Sequence, residues 1–299
     1  MKTQTTILDP IFYLSPSNWD GPFSISDQES AIQALENGKI LFFQNLPFKM
    51  NQEEMRFLTP NALNEKSKNI SYDWAKKQIK GTSYTGSEAE QLARMLQRFS
   101  DQTQSLLNAL FPYYKSNLSF ARTSYRPAQV AGRKSSYRKD DTLLHVDAFP
   151  SSPTHGQRII RTFSNINPNG ESRHWRLGEP FQNVAKRFMP QISSPFLGSR
   201  AFLKFFKVTK SYRTSYDHYM LHLHDKMKAD QIYQKEAPQI DFHFPPGTSW
   251  IVMTDVASHA AMGGRYLLEQ TCHLPVSGMK NQEVSPLFIL EKMTGKRLI

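Results

Sequence analysis

Apolar and polar positions divide the 299-residue chain into a helix-rich first third and a strand-rich remainder. Residues 27–37 (DQESAIQALEN) place apolar side chains at helical spacing and stop at Gly38, which predicts a helix; Ile40-Leu-Phe-Phe43 then reads as a short buried strand. A second helix is predicted from Ser87 through Leu110, with Leu92, Met95, Leu96 and Phe99 forming a core-facing stripe. From about residue 116 the pattern changes to short extended runs: Leu118 to Arg126, Leu143 to Asp147, Arg158 to Ile166, Ala201 to Val208, Ser249 to Thr254 and Tyr266 to Leu274. Helical inserts are expected at Pro180 to Met189 and at Tyr216 to Lys228. Several strands joined by polar turns favour a double-sheet barrel or jelly roll. No repeat or Gly/Ser linker divides the chain, so one domain over residues 1–299 is expected. Its residues 1–115 would form a helical N-terminal layer, and 116–299 a jelly-roll core with helical inserts.

Composition narrows the setting. No run of about 18 apolar residues reads as a membrane span, and the N-terminus lacks the apolar region of a secretory signal. The single cysteine, Cys272, rules out an internal disulfide framework and suits a reducing compartment, so a cytoplasmic protein is expected. The formal charge is +11, and such an excess favours polyanions, an anionic membrane surface or an acidic substrate. Its densest run, Arg122 to Lys139, holds Arg126, Arg133, Lys134 and Arg138, and it ends just before the residues with the clearest chemistry.

Those residues are His145 and Asp147 in Asp141-Thr-Leu-Leu-His-Val-Asp147, answered 112 positions after Asp147 by His259. Residues two apart on a strand point to the same side, and two imidazoles with one carboxylate can hold one face of an octahedral Fe(II). That set leaves three positions open and points to an oxygenase. His273 is a weaker third ligand. His218 and His222, four apart on a predicted helix, could ligate zinc, but no Glu stands between them as in zinc hydrolases, and a solvated helix face explains them better. On the strand Arg158 to Asn165, alternation places Arg161 with Phe163 and Asn165, and Arg158 with Ile160 and Thr162. An inward Arg needs a carboxylate, which a dicarboxylate cosubstrate would supply. Arg161 is the candidate, with Thr142 as a helper. Arg158 fits an outward position on a partly solvated sheet equally well. Trp175 and Trp250 could stack on a sugar, although packing explains each more simply, and Cys272 has no neighbouring base to make it a nucleophile.

The stretch Ser124-Tyr-Arg-Pro-Ala-Gln-Val-Ala-Gly-Arg-Lys-Ser-Ser-Tyr-Arg-Lys-Asp-Asp-Thr-Leu-Leu-His-Val-Asp-Ala-Phe-Pro150 resembles the central signature of the bacterial Kdo hydroxylases. Residues 158–168, 175–181, 224–230 and 258–262 agree as well. The resemblance implies an α+β protein with a mainly β core, a double-stranded β-helix (jelly roll, cupin-like) with a helical N-terminal layer and helical inserts. It implies a dioxygenase that uses Fe(II) and 2-oxoglutarate as cosubstrate, with His145, Asp147 and His259 as catalytic metal ligands. Oxidative decarboxylation to succinate would accompany hydroxylation of Kdo (3-deoxy-D-manno-oct-2-ulosonic acid) at carbon 3, giving Ko in the lipopolysaccharide inner core. The partners expected are a Kdo-containing glycolipid such as Kdo2-lipid A or its precursor, dioxygen, and the anionic cytosolic face of the inner membrane, with no nucleic acid. Arg126, Arg133, Lys134 and Arg138 would then hold the substrate's anionic groups. The competing readings are a dioxygenase for another anionic substrate and a non-catalytic polyanion-binding β-sandwich, which a stoichiometric iron site would separate.

Overall fold

The computed structural model describes residues 9–132, 136–195 and 212–299. Among the described residues eleven strands form two sheets. β1 (Ile11–Leu14), β2 (Ile40–Phe43), β3 (Ile70–Asp73), β4 (Gln78–Lys80) and β5 (Ser119–Arg126) precede His145 and Asp147. β6 (Arg158–Asn165), β7 (Arg173–Pro180), β8 (Gln239–Phe244), β9 (Ser249–Met253), β10 (Ala257–Gly263, which carries His259) and β11 (Leu267–Leu274) follow His145 and Asp147. The eight-stranded sheet runs β1-β2-β9-β6-β11-β5-β3-β4, and the three-stranded sheet runs β10-β7-β8. All pairings are antiparallel except β1 with β2. The architecture is thus mixed α/β around a large β-sheet, consistent with the expected jelly-roll-like fold.

The two sheets share one apolar layer. Phe163, Trp250, Val252 and Leu267 from the large sheet pack with Trp175, Leu177, Phe244 and Ala261 from the small one. Trp250 stacks on Phe244 with ring centroids 3.9 Å apart, and Trp175 meets Phe163 edge-on at 5.3 Å. Helices cover the opposite face of the large sheet. α1 (Ile25–Glu36) begins in a reciprocal cap, Ser24 accepting from the Asp27 N–H while Asp27 accepts from Ser24. α2 (Gly86–Leu110) buries Leu92, Met95, Leu96 and Phe99, the expected stripe. α3 (Phe181–Phe188) and α4 (Ser215–Ala229) lie at the two predicted inserts, followed by α5 (Gln231–Glu236) and a last helix α6 (Pro286–Thr294). No described helix is long and apolar enough to cross a membrane.

Two expectations change. The N-terminal third is not a helical layer alone, because β1 and β2 extend one edge of the large sheet while β3 and β4 extend the other. Leu143 to Asp147 is not a regular strand. It lies along β10, held by Ala261 N–H to Asp141 O (2.7 Å), a reciprocal pair between His145 and His259 (3.0 and 2.9 Å), and Asp147 N–H to Thr254 O (2.8 Å). The side chain of Gln234 substitutes for a neighbouring strand on the other side, accepting from Leu144 N–H and donating to Leu144 O. The run Ala201 to Val208, expected as a strand, lies outside the described residues.

Candidate metal centre and anion cavity

The single β-bridge between His145 and His259 sets the site. It brings residues more than a hundred positions apart into register, and Asp147, two residues on, projects to the same side. One ligand atom from each of His145, Asp147 and His259 lies within 4.8 Å of the others, and all three residues are buried. Among the described residues this is the one cluster of three or more such groups that could share an ion. His218 and His222 have touching rings on α4 but gain no third ligand, and His273 stays within the large sheet.

The histidines are oriented by backbone. His145 Nδ1 lies 2.7 Å from Leu143 O, and His259 Nδ1 lies 2.8 Å from Ala257 O. A carbonyl can only accept, so each Nδ1 carries the proton and each Nε2 presents its lone pair to the centre. Burial, then the neighbouring His259, lowers the pKa of His145 well below the ordinary imidazole value. Burial also lowers that of His259, against an opposing pull from Asp147. Both rings are therefore neutral and able to ligate at neutral pH. Burial alone would raise the Asp147 pKa, but Arg161, His259 and His145 together drive it far below the carboxylate range. Arg161 Nη2 stands 3.1 Å from Asp147 Oδ2, yet Oδ2 receives no hydrogen bond. With Asp147 Oδ1 3.7 Å from His145 Nε2 and its other oxygen left without a hydrogen-bond donor, the buried carboxylate and the two imidazole lone pairs suit a divalent cation.

Beside the triad lies a cavity of about 130 Å³ bordered by Arg126, Arg161 and Arg173, with Trp175 and Phe163 as apolar wall. Glu269 holds two of these cations in place: Arg126 Nη2 is 2.6 Å from Oε2, and Arg161 Nη1 is 3.2 Å from Oε1. Burial would raise the Glu269 pKa, but the charges of Arg126 and Arg161 outweigh it and keep the carboxyl ionised. Arg173 donates to Gly264 O at 2.8 Å. Trp175 stacks on the His259 ring, centroids 5.1 Å apart and planes at 26°, while its Nε1 is buried without an acceptor among the described residues. Three guanidiniums stand with the carboxylates of Asp141, Asp147 and Glu269 and a buried indole N–H, so a cation at the triad would complete a receptor for a small anion.

The expected site residues separate accordingly. His145, Asp147, His259, Arg161 and Arg126 converge on one cavity. Arg126 stands at its inner wall rather than at an outer mouth. Thr142 does not border this cavity, because Asp140 Oδ1 takes both its hydroxyl (2.7 Å) and its N–H (2.9 Å) in a tight local turn. Arg138 is an outer residue paired with Asp225 at 2.9 Å, and Arg133 and Lys134 lie outside the described residues. Arg158 is not outward-facing. It is fully buried against Asp255, Nε to Oδ2 2.6 Å, as part of the scaffold. The histidines of α4 are not all solvated either: His224 is buried, its ring 5.3 Å from that of His145. Trp175, which packing alone seemed to explain, borders the site, as does Arg173, and Glu269 stands behind it on Arg126 and Arg161; the sequence singled out neither Arg173 nor Glu269. Alternation along residues 173–179 (RHWRLGE) was the signal, since it puts Arg173, Trp175 and Leu177 on one face.

A histidine-histidine-carboxylate cluster on a two-sheet β-scaffold, beside an arginine-lined cavity, defines a non-haem iron oxygenase type of centre. Comparison with known proteins agrees. Residues 18–297 match the family described as 3-deoxy-D-manno-oct-2-ulosonic acid (Kdo) hydroxylase, and the chain belongs to that family. It is similar to a solved Kdo hydroxylase, KdoO, a non-haem Fe(II) alpha-ketoglutarate-dependent dioxygenase in complex with alpha-ketoglutarate and Fe(III). The two share 48% identity over 97% of this chain and 98% of that one, with a TM-score of 0.94. The apo structure of KdoO gives 49% identity, the same coverage and a TM-score of 0.95, and its cobalt(II) complex matches equally well. Comparison with curated proteins finds no match.

Proposed function

We propose that this protein is an Fe(II)- and 2-oxoglutarate-dependent dioxygenase that hydroxylates Kdo at carbon 3, with His145, Asp147 and His259 as the iron ligands. The observation that carries this reading is the buried triad at the His145–His259 bridge, inside a chain of the Kdo hydroxylase family. We further read the two sheets as a double-stranded β-helix, the strip from Asp141 to Asp147 completing the smaller sheet along β10.

Bound iron would supply the activation of dioxygen and the oxidation of the sugar carbon. The chain's own groups position and insulate. The Leu143 and Ala257 carbonyls hold the imidazole tautomers, and Arg161 keeps Asp147 ionised. A cosubstrate dicarboxylate fits the adjoining cavity, where Arg126, Arg161 and Arg173 match its charge and Trp175 Nε1–H offers a further donor. Glu269 prevents mutual repulsion of the guanidiniums before the ligand arrives. Phe149 and Phe163 exclude water from that side.

The acceptor is proposed to be a Kdo-bearing lipopolysaccharide precursor such as Kdo2-lipid A. The formal charge of +11 supports peripheral contact with the anionic cytosolic leaflet, worth about 1 kcal/mol for each Lys or Arg close to the surface. Anaerobic titration of the Fe(II)-loaded protein with 2-oxoglutarate tests the site. A metal-to-ligand absorption band should form with one equivalent, weaken at least tenfold in affinity in Arg161→Met, and be absent in His145→Ala. An unchanged band in His145→Ala would refute the ligand assignment.

A further inference from the structure

Lys228 is buried, 3% exposed, and forms no ion pair with any described carboxylate. Its one hydrogen bond goes to the carbonyl of Arg138, at 3.3 Å. A buried ammonium with two unused N–H donors is costly unless something else uses it. Its position says what that is. His224 stands one turn earlier on α4, on the same helix face, with its ring against the metal-site His145. The carbonyl that Lys228 touches belongs to the turn leading into Asp140 and the strip that carries His145 and Asp147.

Burial lowers the Lys228 pKa, while Asp141, Asp147 and Asp140 act against that. The same charge reaches both metal-site imidazoles. Asp141 borders the site cavity and also a second, polar cavity of about 180 Å³ that includes Lys68, Lys139 and Asp140. Lys228 lines neither cavity, but it stands on the α4 face that His224 turns toward His145, so an acidic sugar at the triad would meet carboxylates suited to its hydroxyls and, behind them, a cation held in no ion pair. The three arginines of the inner cavity already face Glu269, Asp147 and the proposed cosubstrate.

We infer that Lys228 binds the carboxylate of the sugar-acid acceptor and so sets which carbon faces the metal. The inference rests on the hydroxylase reading above. In a 3-deoxy-2-ulosonic acid the carboxylate is carbon 1 and the carbon to be oxidised is carbon 3, roughly 2.5 Å away. A cation gripping the carboxylate beside the triad fixes carbon 3 more tightly than contacts to the distal lipid could. Lys228 is therefore a specificity-determining residue, distinct from the iron and cosubstrate groups.

The test compares a Kdo-terminated glycolipid with the same lipid carrying its terminal Kdo carboxyl as the amide, on the full iron-loaded protein. The wild type should prefer the acid over the amide at least tenfold in kcat/KM. Lys228→Met should raise KM for the acid at least tenfold, abolish that preference, and leave KM for 2-oxoglutarate within twofold. Its melting temperature should stay level or rise, since an apolar side chain replaces a buried charge. Lys228→Arg should retain part of the preference. Equal use of acid and amide by the wild type overturns the proposal without any variant. A preference that survives in Lys228→Met overturns it too, as does a Lys228→Met protein several degrees less stable, which would mark the lysine as a prop for the Arg138 turn. If the wild type releases succinate but oxidises neither lipid, the hydroxylase reading itself falls, and this inference with it.

Discussion

Removing the carboxylate of Asp255 should be among the most damaging single changes away from the metal ligands. Arg158 is 0% exposed, and its guanidinium is neutralised by Asp255, with Nε to Oδ2 at 2.6 Å. Asp255→Ala leaves that charge buried and uncompensated, a change that typically costs about 3–5 kcal/mol. For a chain of 299 residues the unfolding entropy converts this into a fall of about 5–8 °C in melting temperature. The damage should reach the site. Asp255 also accepts from Ile159 N–H, and its neighbour Thr254 binds Ile159 O through its N–H and the Asp147 N–H through its carbonyl. Iron affinity should therefore drop in Asp255→Ala although no ligand is touched. The double variant Arg158→Met/Asp255→Leu removes both charges and should recover most of the lost stability. Calorimetry and iron titration of the metal-free proteins supply the measurement. A loss below 1 kcal/mol in the single variant, or a double variant no better than Asp255→Ala, would refute the argument that an orphaned charge is responsible.

Three further outcomes follow from the same geometry. The metal-free protein should lose stability as pH falls. His145 and His259 titrate below their unfolded values, so the unfolded chain gains protons first from about pH 6.5 downward; the lowered carboxyls of Asp147 and Glu269 add to the loss below about pH 4. Melting curves from pH 8 to 5 should fall less steeply in His145→Gln, and parallel slopes would contradict the burial argument. Trp175→Phe keeps the ring against His259 but removes the buried N–H, so KM for 2-oxoglutarate should rise about five- to tenfold, one hydrogen bond's worth, with little change in fold; an unchanged KM would remove the indole from the anion receptor. Gly178→Ala should lower both stability, by about 1–3 kcal/mol, and iron affinity. Its Cβ would stand 2.7 Å from Ser258 Oγ and 3.2 Å from Ser258 Cβ, next to His259 on β10. Wild-type iron binding in that variant would show that β10 yields without disturbing the ligand.

How far the sequence reaches is set by whether a residue's partner is local. The period-two spacing of His145 and Asp147, the alternation that turns Arg161 inward with Phe163, and the helical stripe of α2 depend only on near neighbours, and the structure keeps all three. The role of Arg158 depends on Asp255, 97 positions away, and no periodicity reports such a pairing. Thr142 looked available because the local turn that engages it, through Asp140, is invisible to strand patterning. The strip from Leu143 to Asp147 alternates like a strand but bridges β10 on one side only and is held on the other by a side chain, Gln234, in place of a second strand. Arg173 and Trp175 reach the cavity only because two sheets close on each other, and Glu269 meets Arg126 and Arg161 only because β11 lies between β5 and β6, so their function was not legible before the strand order was known.

The central claim is best tested by anaerobic loading with Fe(II), followed by aerobic turnover with 2-oxoglutarate and Kdo2-lipid A while lipid mass and succinate are followed together. The account requires a lipid heavier by one oxygen atom, formed in step with succinate and lost in both His145→Ala and Asp147→Ala. Succinate released without lipid oxidation would contradict the Kdo assignment. Neither product from a protein shown to hold iron would contradict the dioxygenase reading itself.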